Sequence, residues 1–297
     1  MQAPLLHWSE PITQLVGFAA SFLATGAVGF RYGVVRDRLT NPARPPAELR
    51  LYGDAAQRAA EIGLLGALVQ GAMLVMRLPD AASRAHVSVG ELLTTDRYTI
   101  GSCVLLAAVI VGLSLAVLGR RNGWPLAATG IIGGALEGIA TGQWSRLINP
   151  IHELLAGLWL GTLFVLVVAG IARVFNDESS RGQRGAIVAD MVNNFSPVAL
   201  TCGGMLVISG LLTAWQHLNP LSSLWTTPYG YALLVKLGLV AFVFGLGAWN
   251  WRRMRPRMGT ESGAVAIRRS SLMELGAATL VLVATAVLVS LPSPRPP

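Results

Sequence analysis

Apolar stretches of about 20 residues, parted by short charged segments, follow one another along almost the whole chain. A helix of that length rises about 30 Å, the thickness of a bilayer's hydrocarbon core. Such stretches lie at approximately 12–33, 57–78, 98–119, 124–144, 149–172, 195–216, 228–250 and 270–291. Lipid offers the backbone no hydrogen-bond partner, so only helices or a closed barrel can cross it. The stretches are rich in Leu, Ala, Val and Gly and lack the alternation of barrel strands, which favours helices. The expected fold is all-α, a polytopic membrane helical bundle of about eight transmembrane helices. Charged residues make up only 13% of the chain and mean hydropathy is +0.56, whereas soluble domains carry about 25% charge. That excludes an ordinary soluble enzyme, and the same apolar bias excludes intrinsic disorder. The loops leave no room for a soluble domain. Gly130, Gly133 and Gly134 recur at spacings that let helices approach closely.

The basic residues set direction. Seventeen lie in or beside the loops after the first, third, fifth and seventh stretches, from Arg31 to Arg269. On the other side stand five, Arg77, Arg84, Arg97, Arg146 and Arg295, while Lys236 is intramembrane. Cytoplasmic loops carry the basic excess, so both termini are expected to be periplasmic. The net charge of +8 then reads as topology. No basic stripe interleaved with aromatics occurs, so the bilayer rather than nucleic acid is the expected partner. Cys103 and Cys202 sit in apolar runs and form neither a disulfide framework nor a C-x-x-C site. Residues 1–11 have no basic leader, so no cleavable signal is expected.

This orientation gathers metal-ligand chemistry on one side. His7, His86, His152 and His217 fall on or near the outer surface, and Met73 and Met76 near the outer end of their helix. Ionisable groups within a span are functional candidates by default. Glu137 and Lys236 should lie about 10 and 12 Å deep from the outer side, at 1.5 Å per residue. Three arrangements stay open: a structural ion pair between them, Glu137 as an ion ligand, or Lys236 snorkelling outward. Asn250 and Glu274, near the cytoplasmic ends of the last two spans, suit an interfacial polar clamp. His152 opens the fifth span, and Trp159 shares its helix face. Other classes lack their parts. No facing pair of histidines suits haem, no H-E-x-x-H suits zinc, and there is neither a P-loop nor G-x-S-x-G. No enzyme activity is expected.

The second half of the chain resembles the copper resistance protein D (CopD) family of bacterial inner-membrane proteins. The resemblance begins with His152-Glu-Leu-Leu-Ala-Gly-Leu-Trp159-Leu-Gly161 and continues through Phe195-Ser196, Ala199-Leu200 and Ser209-Gly210. It is most specific at Thr227-Pro228-Tyr229-Gly230, followed by Leu233-Leu234, Lys236-Leu237, Asn250 and Pro256. Arg268-Arg269-Ser270, Glu274 and Leu291-Pro292 complete it, so that it covers about residues 135–292. It divides the chain into a three-helix transmembrane region, 1–122, and a CopD-like transmembrane domain, 123–297.

The resemblance implies a multi-pass protein of the bacterial inner membrane that imports copper, in homeostasis or resistance. It also implies a separate periplasmic CopC-like copper-binding partner. Where the family commonly has Thr-Gly-His-Ala, this chain has Glu137-Gly138-Ile139-Ala140, so a carboxylate stands near the place of the missing imidazole. The expected metal ligands are His152, Glu137, Met73 and Met76, a set that admits Cu(I) through thioether and Cu(II) through imidazole and carboxylate. Two alternatives remain: a scaffold that delivers copper to a cuproprotein without transport, and a haem- or quinone-linked redox subunit.

Overall fold

The computed structural model describes residues 8–41, 44–140, 148–218, 220–292 and 294. Helix is the only regular structure among them. The long helices are α1 (Ser9–Val34), α2 (Pro46–Ala85), α3 (Arg97–Val117), α4 (Gly123–Ala140), α5 (Ile148–Asn176), α6 (Arg184–His217), α7 (Pro228–Met254) and α8 (Glu261–Val289). Among the described residues, seven helices are long and apolar enough to cross a membrane. The expected fourth span is the shorter α4, 18 residues interrupted by Glu137. It runs antiparallel along α3: Gly123 and Ala127 meet Gly112, Gly130 and Gly133 meet Leu105, and Glu137 meets Gly101. Helix α4 therefore traverses the same depth as α3. Gly134, by contrast, has no neighbour where a side chain would stand.

The core forms around α5, the most buried of the long helices, and α1 crosses it. At the crossing, Gly26 and Gly29 of α1 lie against Gly161 and Thr162 of α5, and Gly157 lies against Thr25. Small residues let two backbones touch, and packing of this kind holds helices together where lipid removes the hydrophobic drive between them. Helix α5 widens into π turns at Gly157–Gly161 and Leu166–Ile171, and α1 does so at Phe30–Val34. Phe30, fully buried, fills the space beside Gly170 and Met191. Helix α7 is the least enclosed; it pairs with α8 and reaches the core through Phe244, stacked on Trp159 at 4.9 Å.

Exposed aromatics mark the interfaces. Trp8, Tyr98, Trp215, Trp225 and Tyr231 lie at one end of the bundle, and Tyr32, Trp249 and Trp251 at the other. From Tyr231 to Trp251 along α7 is about 30 Å at 1.5 Å per residue, matching the hydrocarbon core between two aromatic belts.

Three helices begin well before the apolar stretches that announced them. Helix α2 starts at Pro46, α6 at Arg184 and α8 at Glu261. The added turns are charged, so hydropathy does not register them. All three project at the arginine-rich end and there bind one another. Asp190 of α6 pairs with Arg38 and accepts a hydrogen bond from the Tyr52 hydroxyl at 2.9 Å, with Arg44 3.8 Å away. Asn194 donates to the Val34 carbonyl at 3.0 Å. Arg173 pairs with Asp54 at 2.7 Å, and Arg184 with Glu261 at 3.4 Å while also donating to the Phe175 carbonyl. Asp190→Asn keeps the shape but takes the carboxylate from Arg38, while Arg44 keeps its pair with Glu48 at 2.7 Å. It should cost about 1.5–3 kcal/mol, the range for a hydrogen bond to a charged group, read as a lower thermal unfolding midpoint in detergent. An unchanged midpoint would mean that the network is ornamental.

Candidate functional site

At the opposite end, a cavity of about 390 Å³ opens among α1 to α5. Its lining includes Gln14 and Ser21 of α1, Gln70, Met73 and Arg77 of α2, Tyr98 and Ser102 of α3, Glu137 of α4 and Glu153 of α5. Close packing of α3 on α4 through glycines brings Glu137 over Gly101, where the Ser102 hydroxyl donates to its carboxylate at 3.0 Å. Glu153, one turn into α5, has the Ser21 hydroxyl within reach of its carboxylate. The methyl end of Met73 lies over Gly17. Two carboxylates from different helices and one thioether thus share a single chamber.

Asp96 adds negative potential near its mouth, within electrostatic reach of Glu137. As N-cap of α3 it accepts from the Thr99 hydroxyl at 2.6 Å and the Thr99 N–H at 2.9 Å, which holds its carboxyl below the usual range. It is therefore ionised at neutral pH. Arg77, exposed at the rim, opposes part of this charge.

The residue just before Glu153 on α5 faces away. His152 looks toward α6, its Nδ1 2.8 Å from Ser209 Oγ. Ser209 directs its only proton to the Met205 carbonyl at 2.9 Å, in the back-bond common for serine in helices. Its oxygen must then accept from His152 Nδ1–H, which leaves the Nε2 lone pair available. Lys236 of α7 lies within electrostatic reach of this imidazole.

Among the described residues Glu137 and Lys236 form no ion pair. Of the arrangements left open by the sequence, the pairing of these two is therefore not the one adopted. Met73 and Glu137 share the cavity; His152 stands on the other flank of the same turn of α5; Met76 is 77% exposed on the outer face of α2. His217 donates through Nδ1 to the Thr213 carbonyl at 2.9 Å and stacks on Tyr229. Asn250 donates to Glu274 at 2.7 Å, joining α7 to α8. Thr227 accepts from the Gly230 N–H at 3.1 Å, and Pro228 opens α7, so that stretch is a helix start. His7 lies outside the described residues. Glu153 and Asp96 carried no role in the sequence reading, although an acid in the first turns of an apolar helix is itself a signal. Among the described residues, no three His, Cys, Asp or Glu side chains come together as a metal site. The chamber offers two carboxylates and a thioether, a mixed set with open positions.

Residues 189–288 match the family described as Copper resistance protein D. The chain is also similar to the copper transport protein CutJ of Bacillus subtilis, 34% identical over 151 residues, 51% of this chain and 26% of that protein. It thus spans about a quarter of the length of that curated relative. No solved structure matches.

Proposed function

We propose that this chain, whose residues 189–288 match the Copper resistance protein D family, carries copper ions inward across a bacterial inner membrane. The observation that carries the proposal is the chamber holding Met73, Glu137 and Glu153 at the end opposite the arginines. With the arginine-rich end in the cytoplasm, the chamber opens to the periplasm. Copper arriving there, free or from a CopC-like protein, meets carboxylates that attract the cation and a thioether that favours the cuprous form. The resting potential then drives it inward, at about 2.3 kcal/mol per charge per 100 mV. The His152 imidazole, with Nε2 available, offers a second ligand one residue away toward the α5–α6 seam. The copper is substrate rather than a resident cofactor, and the role is that of a transporter, not a catalyst.

The test is copper uptake by proteoliposomes under an inward-directed potential. Wild-type vesicles should accumulate copper well above empty ones. Met73→Leu should lower uptake of Cu(I) by about tenfold, the size of one lost ligand contact of about 1.4 kcal/mol, and leave Cu(II) nearly untouched. His152→Ala separates the two flanks of α5: a loss as large as that of the chamber variants places the path through the seam as well. Wild-type uptake no higher than that of empty vesicles would refute transport and leave copper delivery by a scaffold as the reading to pursue.

A further inference from the structure

A second cavity, about 480 Å³, lies at the arginine-rich end, between α2 and α5. It is lined by Asp54, Gln57, Arg58, Glu61, Val168 and Arg173. The pair Arg173–Asp54, 2.7 Å apart, forms its inner wall. Arg58 and Glu61 stand on the exposed side of α2 and form no ion pair among the described residues. Val168 is exposed at its side, so the groove opens laterally rather than toward the bundle axis. Its depth is that of the interface. Gly170, just above Arg173, packs on Phe30, two residues from the exposed Tyr32 of the aromatic belt.

The face of α2 that carries Arg58 and Glu61 continues toward the bilayer centre as Leu65 and Leu68, 59% and 50% exposed. Read from the interface inward, the surface is cationic and anionic together, then apolar. A soluble anion would gain nothing from the acids or from the leucines. A phosphatidylglycerol headgroup would meet Glu61 and Asp54 with no cation to offer them. We infer that this groove binds a phospholipid with a primary amine in its headgroup, its phosphate against Arg58 and Arg173, its ammonium against Glu61, and an acyl chain along Leu65 and Leu68.

The charges fit in both signs, and guanidinium is the group best shaped to hold a phosphate. Choline carries no N–H, so it can be attracted by Glu61 but cannot donate a hydrogen bond to it. The site is independent of the copper chamber, and its test needs no transport. The detergent-purified full chain is titrated with dioleoyl phosphatidylethanolamine, phosphatidylcholine or phosphatidylglycerol, and bound lipid is counted by native mass spectrometry. The ethanolamine lipid should bind about fivefold more tightly than the other two, the size of one well-placed exposed charge pair. Glu61→Gln should erase its advantage over phosphatidylcholine. Arg58→Gln should weaken all three lipids, and both variants should keep the wild-type elution volume. Equal binding of the three lipids by the wild type, or a preference untouched by Glu61→Gln, would overturn the site.

Discussion

Gly161→Leu should leave almost no folded protein. Even the first carbon of the new side chain would fall inside the Phe22 carbonyl, and Gly26 closes the other side. No rotamer relieves a clash with backbone. The only escape is to part α1 from α5, which opens the interface on which the core is built. Overpacking usually costs about 1–3 kcal/mol where side chains can yield; here they cannot, and total stability is only about 5–15 kcal/mol. The measurement is the fraction of protein eluting as a single species after detergent extraction. Gly204→Leu, on the exposed face of α6 with nothing near the substituted atom, is the matched control. It should be neutral or slightly stabilising, because glycine costs a helix about 1 kcal/mol against a good helix former. Normal folding of Gly161→Leu would mean that the α1–α5 contact is not the keystone described.

That contact also marks the limit of what the sequence discloses. Long apolar stretches announced the helices because lipid thickness and backbone hydrogen bonding leave few solutions. Glycine spacing did not tell which glycines meet a neighbour. Gly130 and Gly133 do meet Leu105, Gly134 meets nothing, and Gly26 and Gly161 bring the backbones of α1 and α5 against each other. Crossing points depend on which helices are adjacent, and adjacency is written in tertiary packing rather than in any one stretch. The early starts of α2, α6 and α8 were hidden for a different reason. Their first turns are charged, and they are helical because Asp190, Asp54 and Glu261 find arginines on neighbouring helices. Arginines counted for the expected orientation therefore also tie these helix starts to their neighbours.

In the chamber the same distinction applies. Glu137 stood out by its depth and Met73 by its softness, and the fold brings them into one space. His152 and Glu153 were adjacent letters of one motif. On a helix adjacent residues point about 100° apart, so one turned to Ser209 and the other to the chamber. Met76, although only three residues from Met73, faces outward, because the neighbouring helices cover only part of the circumference of α2.

Replacing both chamber acids, Glu137→Gln with Glu153→Gln, should abolish copper uptake by proteoliposomes at sub-saturating copper, a fall of at least about 100-fold. Each carboxylate about 4 Å from a cation contributes on the order of 4 kcal/mol at an effective dielectric constant of 20, before desolvation offsets part of it. A net 1.4 kcal/mol from each acid is enough to reach that factor. Glu137 already accepts from the Ser102 hydroxyl and Glu153 has the Ser21 hydroxyl within reach; an amide oxygen can accept from either, so the double variant should fold and elute as the wild type does. The loss should fall on apparent affinity more than on the maximal rate, because the acids act where the ion is gathered. Arg77→Gln should shift affinity the other way, since it removes the opposing charge at the rim. Uptake by the double variant within threefold of wild type would take the chamber out of the copper path, and with it the reason for placing the site among α1 to α5.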